Sequence, residues 1–310
     1  MINLSYATNS IQDPTVDPLA YAAEQAWKKG IVVVAAAGNT GYQKGGAAPG
    51  LADPAYDPFV IGVGACDTNG TSTDKDDTVG AFSASSTGAH GSKLPDFLAP
   101  GTHLQGLRVP NSYVDLTHPE GRLDSRYFSG SGTSEAAAWT SGVVALVLQK
   151  YPNLTTDQVK GFLIQNAVKL RGGDLSRQNS GEISLSRMSS KRPPNGLSGG
   201  RPQPSTGLGS VELSRGSDHL TSSDGVVLSG EQDIFGHVFD AAEMAAAEAA
   251  GNTWSGGSWN GNTWSGNTWS GNTWSGNTWS GNTWSGNTWS GNTWSGNTWA
   301  HDSWLGATWH

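Results

Sequence analysis

The run Gly30-Ile-Val-Val-Val-Ala-Ala-Ala-Gly-Asn-Thr-Gly41 constrains the fold more than any other stretch of this chain. Its β-branched residues, closed off by glycines, leave no polar face, so the strand they form must be covered on both sides, as strands of a parallel sheet are. Such a sheet needs crossover helices. The preceding segment, Asp13 to Lys29, supplies one, with an apolar face at Leu19, Ala22, Ala23, Ala26 and Trp27 and a stop at Lys28-Lys29-Gly30. With Met1-Ile-Asn-Leu-Ser-Tyr6 as the strand before it, a right-handed βαβ unit results and the chain falls in the α/β class.

A second stretch carries chemistry. Ser129-Gly-Ser-Gly-Thr-Ser-Glu-Ala-Ala-Ala138 sets Ser134 in a glycine-lined turn at the start of an apolar helix, Ala136 to Leu148. The glycines let the backbone turn tightly and a substrate approach closely, and the positive end of the helix faces the serine, where it would stabilise a developing oxyanion. Gly-Thr-Ser followed by an alanine-rich helix resembles the catalytic-serine motif of the subtilisin-like serine endopeptidases. Where many members have Pro-His after the alanines, this chain has Ala138-Trp139. Further segments match the family in order: Asp53-Pro-Ala-Tyr-Asp-Pro-Phe-Val-Ile-Gly-Val-Gly-Ala65, Ala81-Phe-Ser83 and Pro95-Asp-Phe-Leu-Ala-Pro-Gly101. The resemblance covers Met1 to about Leu170, roughly the second half of the catalytic domain. It implies a partial subtilisin-like three-layer sandwich around a parallel sheet.

The resemblance also assigns roles. Ser134 is the nucleophile, while Asn39 and the Ser134 amide donate to the oxyanion; an amide supplies a fixed dipole with no proton to lose. Leu4, Ser5 and Tyr6 form the edge on which an extended peptide pairs, main-chain bonds giving affinity and side-chain pockets giving preference. Ala36, Ala37 and Gly38 form a wall of the primary pocket, and their small size suggests a roomy apolar one. Ala7 replaces a family glycine beside the edge, which alters the shape of that pocket. The family's triad runs in the order Asp, His, Ser, and its Asp-Ser/Thr-Gly and His-Gly-Thr-His motifs lie upstream of the edge strand with which this sequence opens. The catalytic Asp and His are therefore expected to be missing. Asp67, His103 and His90 sit in turn or loop contexts that do not match those motifs, and His118, His219, His237, His301 and His310 read as solvated side chains.

Past Pro152 a capping box, Thr155 to Gln158, opens a helix that runs to about Leu170 and closes the domain. Residues 171–215 are rich in Ser, Gly, Arg and Pro, a composition that buries too little apolar surface to order itself, and read as a flexible linker. A short hairpin around Gly225 to Glu231 and an Ala-rich helix, Asp240 to Ala250, complete a segment spanning 216–250. From 251 to 310 the unit Gly-Asn-Thr-Trp-Ser repeats, placing Trp at every fifth position from 254 to 309. A period of five fits neither a strand face nor a helix stripe. A turn at each Ser-Gly-Asn would return the Trp to one side, and low-complexity disorder is the competing reading. Exposed indoles offer flat faces and N–H donors to sugars, membranes or one another, and such tails resemble those of some secreted bacterial subtilases.

Composition narrows the remaining classes. The linker's basic residues are few and the net charge is -8, which argues against nucleic acid as a partner. One cysteine, Cys66, excludes an internal disulfide, and no apolar run reaches membrane-spanning length. The resemblance implies a peptide or protein substrate and an extracellular or cell-envelope setting. It implies no required cofactor; the family's frequent use of calcium carries over as an expectation, with no site assigned. Two functions stay in view. One is a serine endopeptidase acting through an acyl-enzyme; the other is an inactive subtilase remnant whose Trp-rich tail binds cell surface or carbohydrate, or serves as a structural module. A sheet without its first strands exposes edges, so poor solubility is expected.

Overall fold

The structure is a computed structural model that describes residues 1–43, 50–86, 93–194, 202–217, 219, 227–232 and 238–250, with backbone only at Gln43, Ser86, 258–259, 262–263, 277–279 and 282–284. In chain order the first half runs β1 (Ile2–Leu4), α1 (Pro18–Lys28), β2 (Val33–Ala36), β3 (Tyr42–Gln43), β4 (Ile61–Asp67), β5 (Thr78–Val79), β6 (Ser85–Ser86), β7 (Phe97–Pro100), β8 (Leu104–Leu107) and α2 (Tyr113–Thr117). The second half adds β9 (Tyr127–Gly130), α3 (Thr133–Lys150), α4 (Thr156–Gln165), β10 (Ala167–Val168), α5 (Leu175–Gln178), β11 (Glu182–Ile183), α6 (Leu185–Ser190), α7 (Val211–Arg215) and α8 (Ala241–Ala250). The main sheet has the order β1-β2-β4-β7-β11-β10, with β5 paired to β4. Its first five strands are parallel, as the apolar run of β2 required, and only β10 and β5 pair antiparallel.

The central strands are buried along their length because each face has a cover. Helix α3 crosses β1, β2, β4 and β7, and Ala65 and Ala136 both close on Gly101. The glycines of β4 serve close approach: a Cβ on Gly62 would stand 2.8 Å from the Ala55 carbonyl oxygen, so that loop lies flat on the strand. Two lysines, Lys160 buried and Lys93 partly buried, hold the same loop. Lys93 donates to the carbonyls of Ala55, Asp57 and Val60, Lys160 to those of Pro58 and Val60, and Asp96 pairs with both.

Helix α1 starts five residues later than its apolar pattern suggests. Asp13 turns the chain by accepting from Thr15 N, and Pro18 can enter a helix only in its first turn. Asp17 caps it, accepting from Leu19 N and Ala20 N at 2.8 and 2.9 Å. Its buried face is Ala20, Tyr21, Ala23, Glu24 and Trp27, rotated from the expected one toward Tyr21. The Thr155–Gln158 capping box forms, with Thr155 Oγ1 accepting from Gln158 N at 3.2 Å and Gln158 Oε1 accepting from Thr155 N at 2.9 Å. The helix it opens ends at Gln165, where Asn166 turns the chain into β10. Thr155→Ala is expected to lower stability by about 1 kcal/mol in a urea titration, since both reciprocal bonds need the threonine side chain to hold their geometry.

Residues 171–215 do not behave as a flexible linker where they are described. Strand β11 enters the main sheet beside β7, with Glu182 opposite Leu98, and Ile183 and Met188 are buried in the core. Further on, Ser205, Ser210 and Ser214 bond to buried or partly buried groups near α1. The composition that cannot form its own core finds partners in one that already exists. Residues 225–226 of the expected hairpin lie outside the described residues; Gln232 and Val238 form an antiparallel bridge just beyond it. Helix α8 occupies Ala241–Ala250, capped by Asp240. Most of the Trp repeat lies outside the described residues; within it, backbone 258–259 pairs antiparallel with 262–263, and 277–279 with 282–284.

Candidate active site

Ser134 occupies the second position of α3, and Gly132 at its N-cap offers no side chain to cap the helix. A side chain from another element does so instead. Asn39, beyond the end of β2, accepts at Oδ1 from both Thr133 N and Thr133 Oγ1, each at 3.0 Å. Gly38 N donates to Thr133 Oγ1 at 3.0 Å, so Thr133 knots the end of β2 to the start of α3. With Oδ1 so fixed, Nδ2 must point the other way. A Cβ placed on Gly132 would stand 3.6 Å from Asn39 Nδ2, 3.6 Å from Ser134 N and 3.9 Å from Ser134 Cβ. Two donors and the serine thus surround one point, kept open by the absent side chain.

On its other side Ser134 is bound to the end of β1. Ser134 Oγ donates to the Ser5 carbonyl at 2.7 Å, and Ser5 Oγ donates to the Ser134 carbonyl at 2.8 Å. Asn3 Nδ2 donates to Ser5 Oγ at 2.8 Å, and Ser141 Oγ to Asn3 Oδ1 at 3.0 Å. The register of β1 on α3 is therefore fixed by a chain of side-chain bonds. A carbonyl oxygen accepts a hydrogen bond but is too weak a base to take the proton, so the hydroxyl is held rather than activated. Glu135 follows Ser134 directly, but consecutive residues do not share a helix face; burial raises its carboxyl above the usual range.

Leu4, Ser5 and Tyr6 run past Ser134 as one segment, with Tyr6 43% exposed. Ala36, Ala37 and Gly38 depart from the expectation of a roomy pocket. All three are buried, and Ala52 Cβ and Ala84 Cβ would lie 3.1 and 3.5 Å from a Cβ on Gly38. Their small size serves close packing. Among the described histidines, His118 pairs with Glu120 and His219 with Glu212, while the His103 side chain is exposed; none bonds to Ser134. His90, His237, His301 and His310 lie outside the described residues. Among the described residues no three His, Cys, Asp or Glu side chains group as a metal ion requires. No described helix is long and apolar enough to cross a membrane.

Thr133, Asn3 and Ser141 were not singled out by sequence. The hydroxyl next to Ser134 in Gly-Thr-Ser is the one signal available, and it reads equally as a helix-start residue.

Known proteins resemble this chain. The model of the subtilase family matches residues 1–189. The serine protease AprX of Bacillus subtilis (strain 168) is 42% identical over 167 residues, covering 54% of this chain and 37% of that protein. Subtilisin DY of Bacillus licheniformis is 34% identical over 152 residues, covering 49% of this chain and 45% of the relative. The chain thus spans less than half the length of either relative. Among solved structures, the prenylagaramide maturation protease PagA superposes with a TM-score of 0.43 at 26% identity over 60% of each chain.

Proposed function

Because the chain belongs to the subtilase family, we propose that it carries the nucleophile and the oxyanion site of a serine endopeptidase that cleaves peptides or proteins outside the cytoplasm. The convergence of Asn39 Nδ2, Ser134 N and Ser134 on one point supports this reading above all else. In the proposed reaction Ser134 Oγ leaves the Ser5 carbonyl, gives its proton to a base and attacks the scissile carbonyl carbon. The carbonyl oxygen becomes an anion between the two donors, where fixed dipoles stabilise charge without reorganising. Collapse of that intermediate breaks the C–N bond, the amine leaves with a proton, and water later releases the acyl group from Ser134. The base and its orienting carboxylate would be a histidine and an aspartate, the pair the family uses.

A second reading draws on the Ser134–Ser5 bond. A hydroxyl parked on a carbonyl suits an inert domain, in which the Trp repeats, binding cell surface or carbohydrate, are the working part. A fluorophosphonate probe separates the two, since it reacts only with an activated serine. The endopeptidase reading expects a phosphonylated peptide at Ser134 by mass spectrometry, abolished in Ser134→Ala. Absence of label on the folded chain decides for the inert domain.

A further inference from the structure

Residues 202–217 lie beyond the span matched by the family model, yet they are stitched to the segment that follows the proposed substrate edge. Thr206 N and Gly209 N donate to the carbonyls of Thr15 and Val16 at 2.8 and 2.7 Å. Ser210 N donates to Gln12 Oε1 at 2.7 Å, and Gln12 Nε2 returns a bond to the Ser210 carbonyl at 3.1 Å. Gly207 has φ +69°, and a Cβ there would stand 2.7 Å from the Tyr21 ring, so this stretch lies flat on α1.

Ser214, 4% exposed, is where the contacts meet. Its hydroxyl donates to Asp17 Oδ2 at 2.7 Å and accepts from Gln12 Nε2 at 3.2 Å. Its carbonyl accepts from the Thr8 hydroxyl. Thr8 is gripped from the other side as well, its N–H donating to the Asp53 carbonyl at 3.0 Å and its carbonyl accepting from Asp53 N at 3.1 Å. Thr8 is three residues past Ser5, whose carbonyl marks the reacting serine. At about 3.3 Å per residue this is at most ~10 Å, within reach of the third residue of a peptide laid along the edge.

We infer that residues 205–217 form a clamp on the outer end of the peptide-binding edge, with Ser214 as its positioning residue, and that the clamp sets affinity for the third and fourth residues on the acyl side of the substrate. This rests on the reading of Leu4, Ser5 and Tyr6 as that edge. The physical reason is preorganisation: strand addition gains least when the receiving strand must be ordered at the moment of binding. Thr8 and Ser214 remove that cost from the outer end only, because Ser5 is separately fixed by Ser134 and Asn3.

The test uses the full chain with Ser214→Ala, Thr8→Val and the hydroxyl-keeping Ser214→Thr. Amide hydrogen exchange across residues 5–10 is measured on the free proteins, and a dipeptide and a tetrapeptide aldehyde, both of small apolar residues, are titrated by calorimetry. Ser214→Ala and Thr8→Val are each expected to speed exchange at residues 8–10 and to weaken the tetrapeptide about tenfold, the scale of one charge-assisted hydrogen bond. The dipeptide is expected to bind unchanged, and Ser214→Thr to restore both readouts. Exchange that does not rise in either variant overturns the clamp, as does an equal loss for both aldehydes. A parent chain that binds neither aldehyde, while exchange still rises in the variants, overturns the substrate reading of the edge and not the contact itself.

Discussion

If Ser134 acts as the endopeptidase reading holds, Asn39→Asp is expected to leave the fold intact and to slow its fluorophosphonate labelling by at least about 10²- to 10³-fold, the loss known for this type of donor in a subtilisin, a relative of this chain. The two ends of the Asn39 amide do different work. Oδ1 accepts the Thr133 N–H and hydroxyl and so caps α3, while Nδ2 faces the open point beside Gly132. An aspartate keeps the acceptor, and its charge at a helix N-terminus is favourable by about 0.3–1 kcal/mol. It removes the donor and sets an anion where the oxyanion would form. Asn39→Ala removes both ends, so it adds a cap loss of about 1 kcal/mol to the same loss of labelling. Rates of label incorporation and urea midpoints, measured on both variants, separate capping from catalysis. An aspartate variant that labels as fast as the parent would show that Nδ2 plays no part in stabilising the oxyanion.

The parts of this site that were legible in sequence are those set by local pattern. The unbroken apolar run of β2 and the glycines at its end place Asn39, and Gly-Thr-Ser ahead of an apolar helix places Ser134. The Thr155–Gln158 capping box forms as read, because its two bonds lie within one turn. What escaped depends on contacts between distant segments. Ser205, Ser210 and Ser214 counted as linker composition, since nothing in their neighbourhood announces that Asp17, Glu24 and Gln12 need partners. The same applies to Asp17, Glu24, Asp53 and Asp57. Nothing in the local sequence marks these four for the interior, yet all are at most 1% exposed. Small residues misled in the opposite direction: Gly38 suggested space for a substrate and instead admits Ala52 and Ala84.

Three of those buried acids, Glu24, Asp53 and Asp57, give the second large expectation, a fold that loses stability as pH rises from about 4 to about 7. Burial pushes the Asp57 carboxyl up to about 7, against the bond it accepts from Phe59 N at 2.6 Å; the charge of Glu24 adds to the shift, and Lys93 and Lys160 oppose it. Burial, then the nearby Asp17, raises Asp53 well above the carboxylate range, and burial raises Glu24. No described N–H or O–H donates to either carboxyl oxygen of Asp53, which suits a carboxyl that keeps its proton. In the unfolded chain these groups ionise near pH 4. Between that value and their folded pKa the native state binds more protons than the unfolded state, so its stability declines with pH across the window. Glu248, raised to about 7 by burial, and Glu182, raised to about 8 by burial and then Asp77, act with the same sign. Asp115, held low chiefly by Arg108, acts with the opposite sign but only below about pH 4, so it does not mask the trend. Urea midpoints should therefore fall from pH 5 to pH 8. Asp57→Asn keeps an oxygen for Phe59 N and removes the charge, so it should flatten part of that decline and raise stability at pH 8, by at most ~4 kcal/mol for a shift of this size. Midpoints that climb with pH, or an asparagine variant less stable than the parent at pH 8, would mean that these carboxyls are ionised and balanced in the folded chain.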